Sequence, residues 1–451
     1  MKSISRAAIG LAAIVGAFAL GYLLDRSEQV PRSWRDALDR MTDGTPLEKG
    51  EAPIHAAIEH GEAAPLSDHP GPRELPDREA EALLALGYVQ GELPASARSG
   101  LIQYDQDRAF PGLNLYVTGS APMAVLIDMD GRELHRWECD FEKAFPGAVL
   151  PAYVRDAVRY SFRRVYLYPS GELLAVFENV GLIKLDWDSN LLWTYSGGAH
   201  HDLEVTPSGE ILVLTQELRR FPEIDEHKNV VDNSIVVLSS DGVELRRVSI
   251  LDCIANSDYR ALLGHTPRRI DVLHTNTIER LDRALAGNGP AFREGNLLVS
   301  IRATDTVGII DFDAKSLVWA VTGMWNAQHQ PTFLSNGNLL VFDNYAGSDR
   351  SRVVEMDPRT QAVIWSYPGP NERPIFSNGS GSCDRLPNGN TLISISREGR
   401  AIEVTPEHEI VWEFVNPHQF VENGATMVGT LFEVIRLASD TCAELLAGVS
   451  Q

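Results

Sequence analysis

The chain has 451 residues, enough for a large core, and 62 Asp and Glu against 40 Lys and Arg leave a net charge of −22. A field of that sign repels phosphate backbones and anionic headgroups, which excludes nucleic acid as a partner. Hydrophobic residues at 44% and charged residues at 23% exclude both wholesale disorder and a polytopic membrane protein.

Ala7–Leu24 carries no charge and follows Lys2 and Arg6. Its length is near the lower limit for a spanning helix, and the basic flank predicts a cytoplasmic N-terminus. The expectation is a single-pass anchor over residues 1–24 in the inner membrane, with the remainder on the periplasmic side. A cleavable signal peptide is the alternative, because Ala17-Phe18-Ala19 resembles a small-x-small cleavage site. The apolar run continues past Ala19, which favours the anchor.

Residues 25–98 read as an acidic tether punctuated by Pro31, Pro46, Pro53, Pro65, Pro70, Pro72, Pro76 and Pro94, which forbid long ordered elements. Two short helices are expected there. One spans Pro31 to Met41, where Trp34, Leu38 and Met41 share a face; the other runs from Asp77 to Leu86, with Asp77 as N-cap and Gly87 beyond the end.

From about residue 99 to 440 a turn residue, a glycine and an aliphatic strand recur together: PSGELLAVF (169–177), PSGEILVL (207–214), EGNLLVS (294–300), SNGNLLVF (335–342) and PNGNTLIS (387–394). The glycines, Gly171, Gly209, Gly295, Gly337 and Gly389, stand 38, 86, 42 and 52 residues apart. A period near 40 with one long insertion is a propeller signal. A second phrase ends in an aromatic, as in LIDMDGRELHRW (126–137), KLDWDSNLLWTY (184–195) and IEVTPEHEIVWEF (402–414). It reads as strand, turn and outer strand, with the Trp packed between neighbouring blades. Units beginning near Gly112, Arg163, His201, Ile270, Gln328 and Ser380 number six, and Gly429 to Leu437 or the segment near Gly112 closes the ring. The fold class expected is therefore all-β, a six-bladed β-propeller, with residues 441–451 as a tail. A β-sandwich would not repeat the same two phrases in the same order.

Three departures from the repeat mark a site: His200-His201-Asp202, His274-Thr275-Asn276 and Gln328-His329-Gln330, each before or at the start of an innermost strand. Equivalent positions of successive blades converge on the propeller axis. Arg302, in LLVSIRATDT, ends a strand of the same blade as His274. Three histidines alone suit zinc or copper, but a guanidinium among them disfavours a divalent cation and suits a tetrahedral oxyanion. No metal is expected. His265, His408, His135 and His418 fall in loops, hairpins and blade edges and are read as lying outside the site. Cys139, Cys253, Cys383 and Cys442 include no CxxC and are read as small buried hydrophobes, although one long-range bridge is possible in an oxidising compartment.

The stretches 112–137, 186–217, LHTNTIERLD (273–282) and QHQPTFLSNGNLLVFDN (328–344) closely resemble the bacterial arylsulfotransferases, six-bladed propellers. The resemblance implies an aryl sulfate donor, a phenolic acceptor and a sulfohistidine intermediate, with no nucleotide sulfate and no cofactor. It implies His329 as nucleophile, His201, His274 and Arg302 as ligands of the sulfuryl oxygens, and His200 and Asn276 as substrate-binding neighbours. The rival readings are a scaffold or ligand-binding propeller, as an accessory subunit of a membrane complex or a homo-oligomer, and a quinone-cofactor dehydrogenase. Against the second, the sequence shows no Asp/Asn cluster of the kind that would hold calcium.

Overall fold

The computed structural model describes residues 93–438 apart from 96–97, 149–160, 268–269, 284, 286–287 and 423. The chain divides into Met1–Gly61 and Glu62–Gln451, and the described residues belong to the second unit. The expected anchor, most of the tether with its two helices, and the tail lie outside them. Among the described residues no helix is long and apolar enough to cross a membrane.

Six antiparallel sheets, one per repeat, form the blades. From the innermost strand outward, blade 1 is Leu431–Leu437, Leu113–Thr118, Met123–Ile127 and Glu133–Glu138; blade 2 is Val165–Leu167, Leu173–Phe177, Gly181–Leu185 and Leu191–Tyr195. Blade 3 is Ala199–Val205, Ile211–Arg220, Asn229–Leu238 and Glu244–Ser249; blade 4 is Thr275–Arg280, Leu297–Ile301, Thr306–Asp311 and Ser316–Thr322. Blade 5 is His329–Phe333, Leu339–Gly347, Arg350–Met356 and Val363–Tyr367; blade 6 is Ser382–Arg385, Thr391–Ile395, Arg400–Val404 and Ile410–Val415.

The second strand of each blade is rich in buried apolar residues because both of its faces are covered. In Leu173–Phe177 every residue is buried: Leu173, Ala175 and Phe177 pack toward blade 1, while Leu174 and Val176 pack toward blade 3. Successive side chains of a strand point to opposite faces, so one strand feeds two inter-blade cores. The same division around the ring gives six clusters, each drawn from two adjacent blades. The repeated Trp does pack between blades, since its indole N–H reaches the next blade's turn: Trp137 donates to Gly171 O at 3.1 Å, Trp365 to Pro406 O at 2.9 Å and Trp412 to Met129 O at 3.1 Å.

Both ends of the described chain close the ring. Leu431–Leu437 supplies the innermost strand of blade 1, paired with Leu113–Thr118, and Gly100–Tyr104 adds a fifth strand outside blade 6 by pairing with Ile410–Val415. A wholly buried ion pair locks this seam, Arg436 Nη1 to Glu403 Oε2 at 2.9 Å, with Arg436 Nε donating to Asn114 Oδ1 at 2.7 Å. Between blade 6 and the closing strand a hairpin, Gln419–Glu422 with Ala425–Val428, receives the start of the described chain, where Ala95 N–H donates to Thr426 O at 2.8 Å.

Candidate functional site

Strand register places the site. The first residue of the second strand pairs with Leu437, Leu167, Val205, Arg280, Phe333 and Arg385 in blades 1 to 6. Four residues back along the chain stand Glu433, Arg163, His201, Asn276, His329 and Gly381. These six, with Arg164, Asp202, Thr277, Gln330 and Phe432, line one cavity. His201 and His329 thus occupy the same station of their repeats. In blade 4 that station belongs to Asn276, and His274 lies two residues earlier, so the expectation of three histidines at one point holds for two of them. A second ring lies five residues past the first residue of the second strands, where Glu178, Arg302 and Asn344 follow Phe177, Ile301 and Asp343.

The innermost strands of blades 3, 4 and 5 are irregular where they carry these residues. Their ladders slip opposite Val213/Thr215, at Thr275/Thr277 and at His329/Thr332. Extra residues in one strand bend it and re-aim side chains. His201, His274 and Gln330 adopt left-handed φ of 53°, 48° and 41°. A non-glycine residue there costs of order 1–2 kcal/mol, so packing must enforce the conformation.

His329 is buried, and its tautomer is fixed by its partners. Nδ1 faces two acceptors, Asn344 Oδ1 at 2.7 Å and Ala327 O at 3.1 Å. Asn344 is held the right way round because its amide N–H groups donate to Ser377 O and Ser380 O, both at 2.7 Å. Nδ1 therefore carries the proton, and Nε2 presents its lone pair, accepting the Ser380 N–H at 3.1 Å. Ser380 itself has φ 61°, and the next residue must be glycine, since a Cβ on Gly381 would lie 2.6 Å from the Phe342 ring. Burial, then the charge of Arg302, holds the His329 imidazole well below its usual pKa, so it stays neutral. Arg302 opens a short 3-10 turn at the end of Leu297–Ile301.

His201 packs edge-on against His274, ring centroids 5.0 Å apart. Its Nδ1 lies 2.8 Å from His200 Nδ1 and 3.3 Å from Glu178 Oε1, and its backbone N–H donates to Glu178 Oε2 at 3.3 Å. Burial, with the nearby charge of Arg163, holds His201 well below its usual pKa, and burial takes His200 down to about 3. His274 is tied to Asp271 through both Nδ1 and the backbone N–H, the latter at 3.0 Å. Asn276 donates to Gln328 O at 2.9 Å. Of the expected residues, then, His201, Asn276 and His329 line the cavity, His274 backs onto His201, the charge of Arg302 acts on His329, and His200 stands behind His201. Outside the site, as expected, His265 and His408 are exposed, whereas His135 is half-buried and stacked on Trp187, and His418 meets Tyr116 Oη at 3.1 Å. Cys139, Cys253 and Cys383 are buried free thiols, and Cys442 lies outside the described residues.

Arg163, Glu178, Asn344 and Ser380 are site residues that the histidine motifs do not announce. Arg163 Nε lies 3.4 Å from Glu178 Oε2, and its guanidinium sits over Phe432, 4.8 Å from the ring centroid. Burial raises the Glu178 carboxyl to about 7 although Arg163 and the His201 N–H pull it down. Glu178, His200 and His201 bring donor atoms within 4.8 Å of one another, a spacing open to a metal ion, but here they engage one another and Arg163. A neutral imidazole with a fixed lone pair, beside guanidinium groups in a polar cavity, suits nucleophilic attack on an anionic centre.

No curated protein matches the sequence significantly. Among solved structures, a protein of unknown function from Bacteroides caccae is 15% identical with a TM-score of 0.47, the match covering 72% of this chain and 98% of that one. A streptogramin B lyase is 13% identical with a TM-score of 0.41, covering 77% and 96%. Residues 168–417, more than half of the chain and spanning blades 2 to 6, match the arylsulfotransferase (ASST) family. By that match the chain belongs to the arylsulfotransferase family.

Proposed function

We propose that the protein transfers a sulfuryl group from an aryl sulfate ester to a phenol by way of a sulfohistidine at His329. His329 Nε2 gives up the Ser380 N–H and attacks sulfur as the S–O bond to the aryl group breaks; the phenolate leaves and an N–S bond remains. An acceptor phenol, losing its proton, then attacks sulfur and the N–S bond breaks. Nδ1–H stays on the ring throughout, and its bonds to Asn344 and Ala327 offset the positive charge that develops there. Arg302 and the imidazoles of His201 and His274 are read as donors to the sulfuryl oxygens, which gain charge in the transition state.

The observation that carries this reading is the fixed tautomer of a buried, neutral His329 on the cavity wall, under the charge of Arg302. The family match supports the reaction class. The apolar run at Ala7–Leu24 behind Lys2 and Arg6 supports a membrane-held, periplasm-facing enzyme. Purified protein given an aryl sulfate and a phenol tests the activity: a new aryl sulfate ester that forms with wild type and not with His329→Ala is the expected outcome, and absence of transfer with any phenol contradicts it.

A further inference from the structure

Sulfuryl transfer between phenols moves a proton as well as sulfur. The departing phenolate needs one, and the incoming phenol must lose one. His329 cannot supply it, because Nδ1–H is bonded to Asn344 and Ala327 and Nε2 is the attacking atom. Glu178 is placed to. It stands five residues past Leu173, the first residue of the second strand of blade 2, as Arg302 stands to Leu297 in blade 4 and Asn344 to Leu339 in blade 5, the two residues that act on His329. Its side chain is nine-tenths buried, with Oε1 3.3 Å from His201 Nδ1 and Oε2 taking the His201 N–H. The charged and titratable groups facing it are Arg163, from the entry to its own blade, and His200 and His201, from the innermost strand of blade 3. His201 lines the cavity, whereas Glu178 does not.

We propose that Glu178 stores the proton exchanged with the phenolic oxygen and passes it through His201, acting as a positioning residue that does not itself touch substrate. In the first half-reaction His201 Nε2–H shifts from a sulfuryl oxygen to the leaving phenolate and protonates it while His201 Nδ1 takes the proton of the Glu178 carboxylic acid, leaving a carboxylate beside Arg163. In the second half-reaction the acceptor phenol gives its proton to His201 Nε2, and Nδ1–H returns one to Glu178. One S–O bond breaks and one forms, and the protonation of the site is restored. A carboxyl raised to about 7 suits both directions, since neither form is strongly favoured near neutrality.

This inference rests on the sulfuryl-transfer reading, and leaving-group dependence separates the two. With para-methylphenyl sulfate, whose phenolate is a poor leaving group, Glu178→Gln should lower kcat/KM about 100-fold. With para-nitrophenyl sulfate, whose phenolate departs unprotonated, the loss should stay within about 3-fold. In wild type the rate with the methylphenyl donor should fall as pH rises through about 7, and that limb should vanish in Glu178→Gln. Equal losses with both donors, or a limb that persists in the variant, overturn the inference while sulfuryl transfer stands. Should Glu178→Gln not fold, the wild-type profiles alone decide: a limb with the methylphenyl donor and none with the nitrophenyl donor supports the relay, and matching profiles refute it. A wild type inert toward both donors sinks the sulfuryl-transfer reading and this one with it.

Discussion

Asn344 Oδ1 stands 2.7 Å from His329 Nδ1, and that bond decides which nitrogen of the imidazole is nucleophilic. Both amide hydrogens of Asn344 are committed to the 377–380 loop, so the side chain cannot flip without breaking two bonds. Asn344→Leu keeps the volume and removes the acceptor. Rapid-mix kinetics with donor alone should show formation of the covalent intermediate slowed roughly 10- to 100-fold, the usual effect of removing a group that orients a reactive imidazole. An unchanged rate would show that the backbone carbonyl of Ala327 suffices.

Arg302 contributes a planar fork as well as a charge. Arg302→Lys retains the charge but not the paired donors, so the intermediate should still form at a rate reduced by about two orders of magnitude, or ~3 kcal/mol of barrier. The loss should appear in kcat with para-nitrophenyl sulfate. A loss confined to KM would assign Arg302 to uniform substrate binding instead.

Much of this was legible in the sequence. The glycine of each turn fixes the register, so counting eight residues back from Gly171, Gly209, Gly337 and Gly389 lands on Arg163, His201, His329 and Gly381. Counting seven forward from Gly171, Gly295 and Gly337 lands on Glu178, Arg302 and Asn344. Arg163 and Glu178 were hidden because an arginine beside a strand and a glutamate at a turn resemble ordinary solvated residues until the register puts them in a ring. In blade 4 the segment between Leu281 and Asn296 lengthens the first turn and breaks the backward count, so Asn276 and His274 exchange the expected station. Ser380 acts through its backbone N–H, which no side-chain pattern can announce.

The seam that closes the ring rests on an ion pair without solvent access, Arg436 with Glu403, which also accepts the Phe110 N–H and the Asn390 amide at 2.7 Å each. Removing one partner leaves a buried charge and several orphaned donors. Glu403→Leu should destabilise the propeller by roughly 3–5 kcal/mol in chemical denaturation, and adding Arg436→Met should recover part of that loss. A single variant within about 1 kcal/mol of wild type would place the stability of closure in the strand pairing alone.

Stability should depend on pH in a direction set by buried groups. Burial raises Glu178, Glu204 and Asp232 to about 7 and Glu279 to about 8. The folded state therefore binds protons that the unfolded chain has released, so these groups stabilise fully below about 4, the ordinary carboxyl range, and lose that effect as pH rises from there through 7 and 8. His200, His201 and His329 shift the other way, below their ordinary 6.5, and their contribution is lost as pH falls below that value. Between about 8 and about 6.5 the carboxyls act alone, so the melting temperature should rise as pH falls across that window, and below it the histidines offset much of the carboxyls' further gain. A melting temperature that falls steadily from pH 8 to about 6.5 would contradict the assignment of these carboxyls as buried acids.

The most direct test of the account traps the enzyme halfway. Incubation with an aryl sulfate in the absence of acceptor, followed by rapid denaturation at alkaline pH and peptide mass mapping, should find one added sulfuryl group on the peptide that carries His329, with release of one phenol per chain. Addition of a phenol before denaturation should discharge it. An adduct on His201, His274 or any other residue, or phenol release that continues undiminished in His329→Ala, would contradict the assignment of His329 as the nucleophile.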